Sequence, residues 1–335
     1  MSFHRFAGRL WDRDVPLSAL IELTHRCNLQ CPFCCSQPGE DPAGTPLGRA
    51  RLLRLLEELR ALQTLFLTLS GGEPLLHPDL WAVGRRAREL EFAVRLKTNG
   101  HALDEEVARR VHEEIAPFAV EISLHGATAA THDRHTGVPG SFERLRHHLD
   151  VAQRMGLRTT LLALVTRHNE DELDAMRALA RGRALPLVLD PVVTPRHDGD
   201  PTPRDWAPTA RGRARLRALL SGGDAPAPDS DEGARRRFCG AGASTLAVDP
   251  YGVVSPCVQW RTPVGDLHEQ DLESIWRGPP MEEIRRLSEQ ARRDREARPG
   301  TALGWEDCPG IEHLDGHHVG CAGHGACEER EIEVE

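Results

Sequence analysis

Short apolar runs alternate with amphipathic stretches along the first two thirds of the chain. Six runs have strand character, at residues 19–23, 65–69, 93–97, 119–124, 159–165 and 187–190, and each is followed by a stretch with helical periodicity. The first helical stretch is the clearest: Leu52, Leu55, Leu56, Leu59 and Leu62 recur at three- and four-residue steps and form one apolar stripe. The others run near residues 79–90, 104–115, 141–155, 169–180 and 210–220. Strict alternation of strand and helix predicts a parallel sheet with right-handed crossovers, either doubly wound or curled into a barrel.

Beyond residue 193 the periodicity gives way to Pro, Gly, Asp and Arg, and residues 221–233 read as a linker. Two strand runs, 244–249 and 253–257, then flank Pro250-Tyr251-Gly252 and predict a hairpin, with helices near 272–276 and 281–295. The pattern divides the chain into a lead segment (1–18), an α/β unit (19–220), a linker (221–234) and a C-terminal unit (235–335).

Composition narrows the class. The 335 residues are 39% hydrophobic and 28% charged, and no apolar run approaches the ~20 residues of a membrane span. The first ten residues lack the pattern of a secretory signal, which predicts a cytoplasmic protein. A net charge of -9 opposes a general affinity for nucleic acid. Lys97 is the only lysine among 42 basic residues, which reads as codon bias. Nine cysteines in a chain read as cytoplasmic point to metal or redox chemistry rather than disulfides. Cys27, Cys31, Cys34 and Cys35 lie near the start; Cys239, Cys257, Cys308, Cys321 and Cys327 lie in the last third.

Cys27, Cys31 and Cys34 follow the first strand directly, in a polar loop. Cluster ligation ordinarily takes four cysteines, so a set of three leaves one iron open to a ligand. Zinc with a fourth ligand from Cys35 or His25 is the plainer alternative. The second strand ends in Ser70-Gly71-Gly72-Glu73-Pro74, and in a parallel barrel the ends of strands one and two are neighbours at the catalytic face. Adjacent glycines let backbone approach a ligand, and a carboxylate after them can accept from an ammonium group.

Taken together, Cys27-x-x-x-Cys31-x-Phe33-Cys34 and Gly71-Gly72-Glu73-Pro74 resemble the radical S-adenosylmethionine (SAM) superfamily. The resemblance covers roughly residues 19–193. It implies a partial (β/α)6 TIM-like barrel whose [4Fe–4S] cluster, on Cys27, Cys31 and Cys34, chelates SAM at its open iron. It further implies Gly71, Gly72 and Glu73 at the methionine amino group and Phe33 at the adenine. Asn99 at the end of strand three, Ser123 at the end of strand four and Arg134 in the loop beyond are candidates for the ribose and carboxylate, with capped turns or solvated loops as the alternative. Strand five lacks the glycine pattern of some members, leaving Leu164 as the adenine candidate there. Cys35 reads as a small buried residue and not a ligand.

The C-terminal region resembles the SPASM or shorter Twitch domain, through the hairpin, Val264-Gly265-Asp266-Leu267 and Leu272-Glu273-Ser274-Ile275-Trp276. That resemblance implies a small α+β iron–sulfur domain. Five cysteines suffice for one auxiliary [4Fe–4S] cluster, on Cys239, Cys257, Cys321 and Cys327, with Cys308 able to replace one of the last pair. Asp249 reads as a turn residue. His313, His317, His318 and His324 keep zinc open as an alternative.

The expected activity is reductive cleavage of SAM to a 5′-deoxyadenosyl radical that abstracts hydrogen from a substrate. Resemblance to SPASM proteins implies a ribosomally made precursor peptide or a small molecule such as an aminocyclitol, and the peptide side fits better. A reducing partner such as flavodoxin or ferredoxin is implied. Fewer than twenty residues precede the first strand, too few for a leader-binding domain, so a peptide substrate is expected to need a separate leader-peptide-binding protein or an unconventional dock. The reading from another class is a non-catalytic zinc scaffold, against which the Gly-Gly-Glu loop argues.

Overall fold

The structure is a computed structural model and describes residues 13–36, 44–221, 239–296 and 308. Most of the lead segment and the linker, together with Cys321, Cys327 and the four C-terminal histidines, lie outside the described residues.

Six parallel strands form the frame: β1 (Ser18–Glu22), β2 (Phe66–Ser70), β3 (Ala93–Thr98), β4 (Ala119–Ser123), β5 (Thr159–Leu164) and β6 (Leu187–Asp190). The helices between them are α1 (Arg49–Ala61), α2 (Leu80–Glu89), α3 (Glu105–Arg110), α4 (Ala129–Thr136), α5 (Ser141–Arg154) and α6 (Leu173–Gly182), with α7 (Ala210–Ser221) after β6. The expected alternation is present. Ala19, Ile21, Leu67, Leu69, Val94, Leu96, Val120, Ile122, Leu161 and Ala163 join Leu52, Leu55, Leu56 and Leu59 of α1 in one buried core. In β3, burial alternates strictly: Val94, Leu96 and Thr98 are buried, whereas Ala93, Arg95 and Lys97 are partly exposed.

Parallel strands buried on both faces read as unbroken apolar runs. Here one face carries Glu22, Arg95, Lys97, Glu121 and Ser123, so the inner face is built for polar contents. The chain after β6 folds back across it, since His197 N donates to Cys35 O at 2.9 Å and the His25 and His197 rings lie 5.0 Å apart. Strands one and six are at opposite ends of this parallel set, and this contact curls the sheet into a partial barrel.

Beyond the linker come β7 (Thr245–Val248), β8 (Val253–Ser255), β9 (Gly265–Asp266), α8 (Leu272–Trp276) and α9 (Pro279–Glu296). The hairpin turns on Asp249, whose Oδ1 accepts from Tyr251 N and Val253 N at 2.9 Å each, with Gly252 at φ +89°. Its first strand pairs in parallel with β1, Ser18 opposite Thr245, giving a nine-stranded sheet in the order β6-β5-β4-β3-β2-β1-β7-β8-β9. The hairpin expected in a separate unit therefore extends the barrel sheet and covers the backbone edge of β1.

Two local expectations need correction. Arg134, expected in a loop, lies on α4, which Thr128 caps by accepting from Thr131 N and Gly137 ends at φ +67°. That helix has no apolar stripe; its buried residues are His132, His135 and Thr136. The helix expected from residue 169 starts at Leu173. Asn169 is occupied in the preceding turn, accepting from Thr166 N and donating to Leu164 O and His125 O.

Candidate functional site

The first cysteine loop leaves β1 and is stitched to the loop after β2. Gly72 N donates to Thr24 O at 2.6 Å and Glu73 N to Arg26 O at 2.9 Å. A Cβ on Gly71, whose φ is +143°, would stand 2.4 Å from Thr24 O, and one on Gly72 would stand 2.4 Å from Arg26 O. The glycines are needed because the two loops touch, so the backbone they approach is the cysteine loop itself.

Glu73 lies inside this junction. It is 0% exposed, with Oε1 accepting from Leu75 N (3.0 Å) and Thr98 Oγ1 (2.7 Å) and Oε2 from Asn99 N (2.8 Å). Burial raises its pKa to about 7 against these hydrogen bonds. These hydrogen bonds make a buried knot that ties the Gly-Gly loop to the end of β3.

That knot positions Asn99, whose Nδ2 donates to Asn28 Oδ1 at 2.7 Å and to Cys27 Sγ at 3.5 Å. Leu29 N donates to the same sulfur at 3.4 Å, and Cys34 N to Cys31 O at 3.1 Å. Burial raises the pKa of Cys27 and pushes Cys31 up to about 12. The thiol hydrogen bond between Cys34 and Cys35 raises the first and lowers the second, and Cys35 is also hydrogen-bonded to the His197 side chain. The three half-buried sulfurs at 27, 31 and 34, two of the donors aimed at Cys27, suit iron, which takes thiolates and is tuned by N–H···S bonds. A bound metal supplies the charge that burial otherwise denies them.

On the other side of this loop stands an aromatic wall that sequence reasoning missed. Phe33, 6% exposed, has its ring 5.0 Å from His125, 5.5 Å from His135 and 5.8 Å from Trp206, and Trp206 lies 4.4 Å from His168. Burial lowers the pKa of His125 and brings His132 and His135 down to about 4, so these rings are neutral at pH 7. Arg134 lies over Trp206 at 5.8 Å. Phe33, Arg134 and, through Asn169, Leu164 and the loop after Ser123 thus share one neighbourhood. The wall is drawn from four segments more than 30 residues apart in the chain; its signal was the run of histidines at 125, 132 and 135, two of them on the buried face of α4.

The second group of thiols is assembled by the hairpin. Ala241 N donates to Cys239 Sγ at 3.4 Å, Trp260 N to Cys257 Sγ at 3.2 Å, and the Cys308 thiol to Gln259 Oε1 at 3.8 Å. Burial pushes Cys257 up to about 12, and Cys239 and Cys308 are near enough to push it further. Cys308, expected only as a substitute, is the residue found beside Cys239 and Cys257. These sulfurs also fit an iron–sulfur group by the same two tests.

One salt bridge connects the two groups. Arg261, four residues after Cys257, forks onto both oxygens of Glu22 at the end of β1 (2.9 and 2.7 Å). Burial alone would raise the pKa of Glu22, but the guanidinium holds it well below the usual carboxylate range. Glu22, His25 and His197 have ligand atoms within 4.8 Å of one another, as a metal site needs. Because Arg261 occupies both carboxylate oxygens, that trio is read as part of the salt-bridge cluster.

A cavity of about 480 Å³ opens beside Cys27, lined by Arg26, Asn28, Leu76 and His77. A larger one of about 560 Å³ lies at the opposite ends of the strands, between Arg54, Glu57, Asp271 and Trp276, away from every cysteine described. No helix among the described residues is long and apolar enough to cross a membrane.

Comparison with known proteins agrees with this geometry. Residues 21–180 match the family model of the radical SAM superfamily, and residues 239–300 match that of an iron–sulfur cluster-binding domain, SPASM. The mycofactocin maturase MftC of Mycobacterium ulcerans (strain Agy99) is 30% identical over 285 residues, 80% of this chain and 76% of that protein. The chain spans 64–65% of three further maturases of that name. The PqqA peptide cyclase of Ruegeria pomeroyi (strain ATCC 700808 / DSM 15171 / DSS-3) is 30% identical over 254 residues, 72% of this chain and 68% of that protein. Among solved structures, Streptococcus suis SuiB bound to precursor peptide SuiA superposes with a TM-score of 0.65, covering 84% of this chain and 70% of that one; at 15% identity this is likeness of fold.

Proposed function

The chain belongs to the radical SAM superfamily, with a SPASM iron–sulfur domain, and from that premise we propose that it modifies a ribosomally synthesised precursor peptide. Family membership sets aside the non-catalytic zinc scaffold. When bound, a [4Fe–4S] cluster and SAM supply a 5′-deoxyadenosyl radical for hydrogen abstraction.

The observation that carries the site assignment is the stitching of the cysteine loop to the Gly-Gly-Glu loop beneath a neutral aromatic wall. In this reading Cys27, Cys31 and Cys34 hold the cluster, and Asn99 and the Leu29 N–H steady the Cys27 sulfur. The Gly71–Gly72 backbone borders the SAM methionyl group. Phe33, with Leu164 beyond it, flanks the adenine, and Ser123 and Arg134 face the ribose and carboxylate. Glu73 acts as a positioning residue. Cys239, Cys257 and Cys308 hold one auxiliary [4Fe–4S] cluster, with a fourth ligand from Cys321 or Cys327.

The relatives named as a maturase and a peptide cyclase support a peptide substrate. Electrons come from a flavodoxin- or ferredoxin-like protein docking at the cavity beside Cys27, where Arg26 and the exposed Leu76 offer a cationic and an apolar contact. A separate leader-binding protein delivers the peptide, and the site of action is the reducing cytoplasm that unpaired thiols need.

The test is to replace Cys27, Cys31 and Cys34 singly by Ala and measure 5′-deoxyadenosine under dithionite. Each variant is expected to lose it, because a cubane with two anchors is not retained; one variant with wild-type yield and an intact cluster refutes the assignment. Incubation with the peptide encoded beside the gene, read by mass spectrometry with and without the leader-binding protein, tests the substrate class.

A further inference from the structure

The barrel's inner face carries two arrangements of carboxylate and cation, and they differ in kind. Glu22 and Arg261 form a closed pair: two oxygens, two donors, 2.9 and 2.7 Å. Glu121 is shared by two cations and closed by neither. Lys97 Nζ stands 3.4 Å from its Oε2, and Arg95 Nε stands 3.2 Å from its Oε1. The Arg95 Nε is buried yet makes no hydrogen bond among the described residues, because its direction to Glu121 is wrong for one. Within salt-bridge distance two cations thus share a single carboxylate.

The cations occupy one strand face. Arg95 and Lys97 alternate with buried Val94, Leu96 and Thr98, so both point inward from β3, and Lys97 directly precedes Thr98 and Asn99, which contact Glu73. The ammonium therefore sits one residue below the cysteine-loop face. Its side chain remains 35% exposed, open to a ligand. From the far end of the parallel sheet Asp190 also faces it, outside salt-bridge distance; burial raises the pKa of that carboxyl and Lys97 lowers it.

Residue identity adds an independent point. Of 42 basic residues, Lys97 alone is lysine. A guanidinium fork matches a carboxylate when it is aimed at it, as Arg261 is at Glu22 and Arg95 is not at Glu121. An ammonium is a point charge with three donors, of which a single carboxylate contact uses one.

We infer that Lys97, seconded by Arg95, binds a carboxylate of the peptide substrate and thereby selects which residue lies beneath the SAM site. The inference rests on the peptide-modifying reading above. Its two possible sources, the C-terminal carboxylate and an Asp or Glu side chain, share this chemistry and are separated by the test.

The experiment pairs enzyme and substrate changes. Full-length reconstituted wild type and Lys97→Met are given the synthetic peptide encoded beside the gene as the free acid, as the C-terminal amide, and with its acidic side chains changed to Asn and Gln. In wild type, one of the two carboxylate-free forms is expected to raise KM about 10- to 100-fold, the range of one charge-assisted contact, with a much smaller change in kcat. Lys97→Met should show that same loss with the intact peptide and no further loss with the carboxylate-free one. Multiplying losses, a Lys97→Met enzyme with wild-type KM, or a wild type that turns over all forms alike overturns the inference. Iron content and visible spectrum report folding; should Lys97→Met be insoluble, Lys97→Gln, which can still donate to Glu121, replaces it under the same criteria. Mass change of the unaltered peptide with wild type separates the two levels, with dithionite-driven 5′-deoxyadenosine reporting an active cluster: active enzyme that never modifies the peptide overturns the peptide-modifying reading and the carboxylate site with it, whereas modification beside a failed cycle overturns the carboxylate site alone.

Discussion

Glu73 is the most constrained side chain of the loop after β2. Three donors from two loops converge on its carboxylate, and burial still leaves its pKa near 7. A carboxyl raised from 4.5 keeps a proton in the folded state that the unfolded chain releases, so stability falls as pH rises from about 4.5 to 7 and levels off above. The shift corresponds to a loss on the order of 3 kcal/mol across that window. Thermal midpoints of anaerobic holoenzyme from pH 5 to 8 should therefore drop more steeply for wild type than for Glu73→Gln, which carries no ionisable group. Parallel profiles would mean that the carboxyl is not perturbed. The same residue bears on the cysteines, because the Asn99 that reaches Cys27 is held by Glu73 through its backbone N–H.

Between elements, the decisive contact is Glu22 with Arg261. It joins the end of β1, which launches the first cysteine loop, to the segment that follows Cys257. Arg261 also donates from Nε to Val258 O, so its fork is aimed before Glu22 meets it. Removing one partner leaves a buried charge unpaired, at a cost of about 3–5 kcal/mol, whereas exchanging both for apolar groups of similar volume is close to neutral. Arg261→Met alone should thus lower the denaturant midpoint sharply at pH 7, and Glu22→Leu with Arg261→Met should recover most of it. If the double variant is as unstable as the single, the pair is not acting as a coupled unit. The auxiliary cluster's electron paramagnetic resonance signal should shift in the single variant, because its ligand loop loses its anchor to the barrel.

For the molecule as a whole, two thiol sets sit on one continuous sheet. Since β7 pairs with β1, the second set is built on the same frame as the first. A variant with Ala at 27, 31 and 34 should retain about four irons per chain, those of a single [4Fe–4S] cluster, and remain brown. Cys257→Ala should still make 5′-deoxyadenosine under dithionite but give no modified peptide. Zinc in place of iron in the triple variant would refute the auxiliary cluster, and an insoluble Cys257→Ala protein would assign it a structural role.

What the sequence by itself determined is local in origin. Strand and helix alternation follows from apolar spacing within each segment, the hairpin from Asp249 and Gly252 at its turn, and the cysteine trio and Gly-Gly-Glu loop from their nearness to strand ends. Each involves residues within about one element of one another, and such relations are set by backbone preferences that a window of sequence contains. The structure alone decided who meets whom across elements. Glu73 turned inward because Thr98 and Asn99 arrive beside it from β3; Arg134 proved helical because α4 buries histidines and not an apolar stripe. Phe33 gained a wall of rings from α4 and from the segments around His125, His168 and Trp206, Cys308 came beside Cys239 and Cys257, and Lys97 went from a compositional curiosity to an inward charge facing Glu121. Those outcomes depend on sheet register and curvature, in which a shift of one residue sends every side chain to the other face, and no short stretch of sequence records the partner that register will supply.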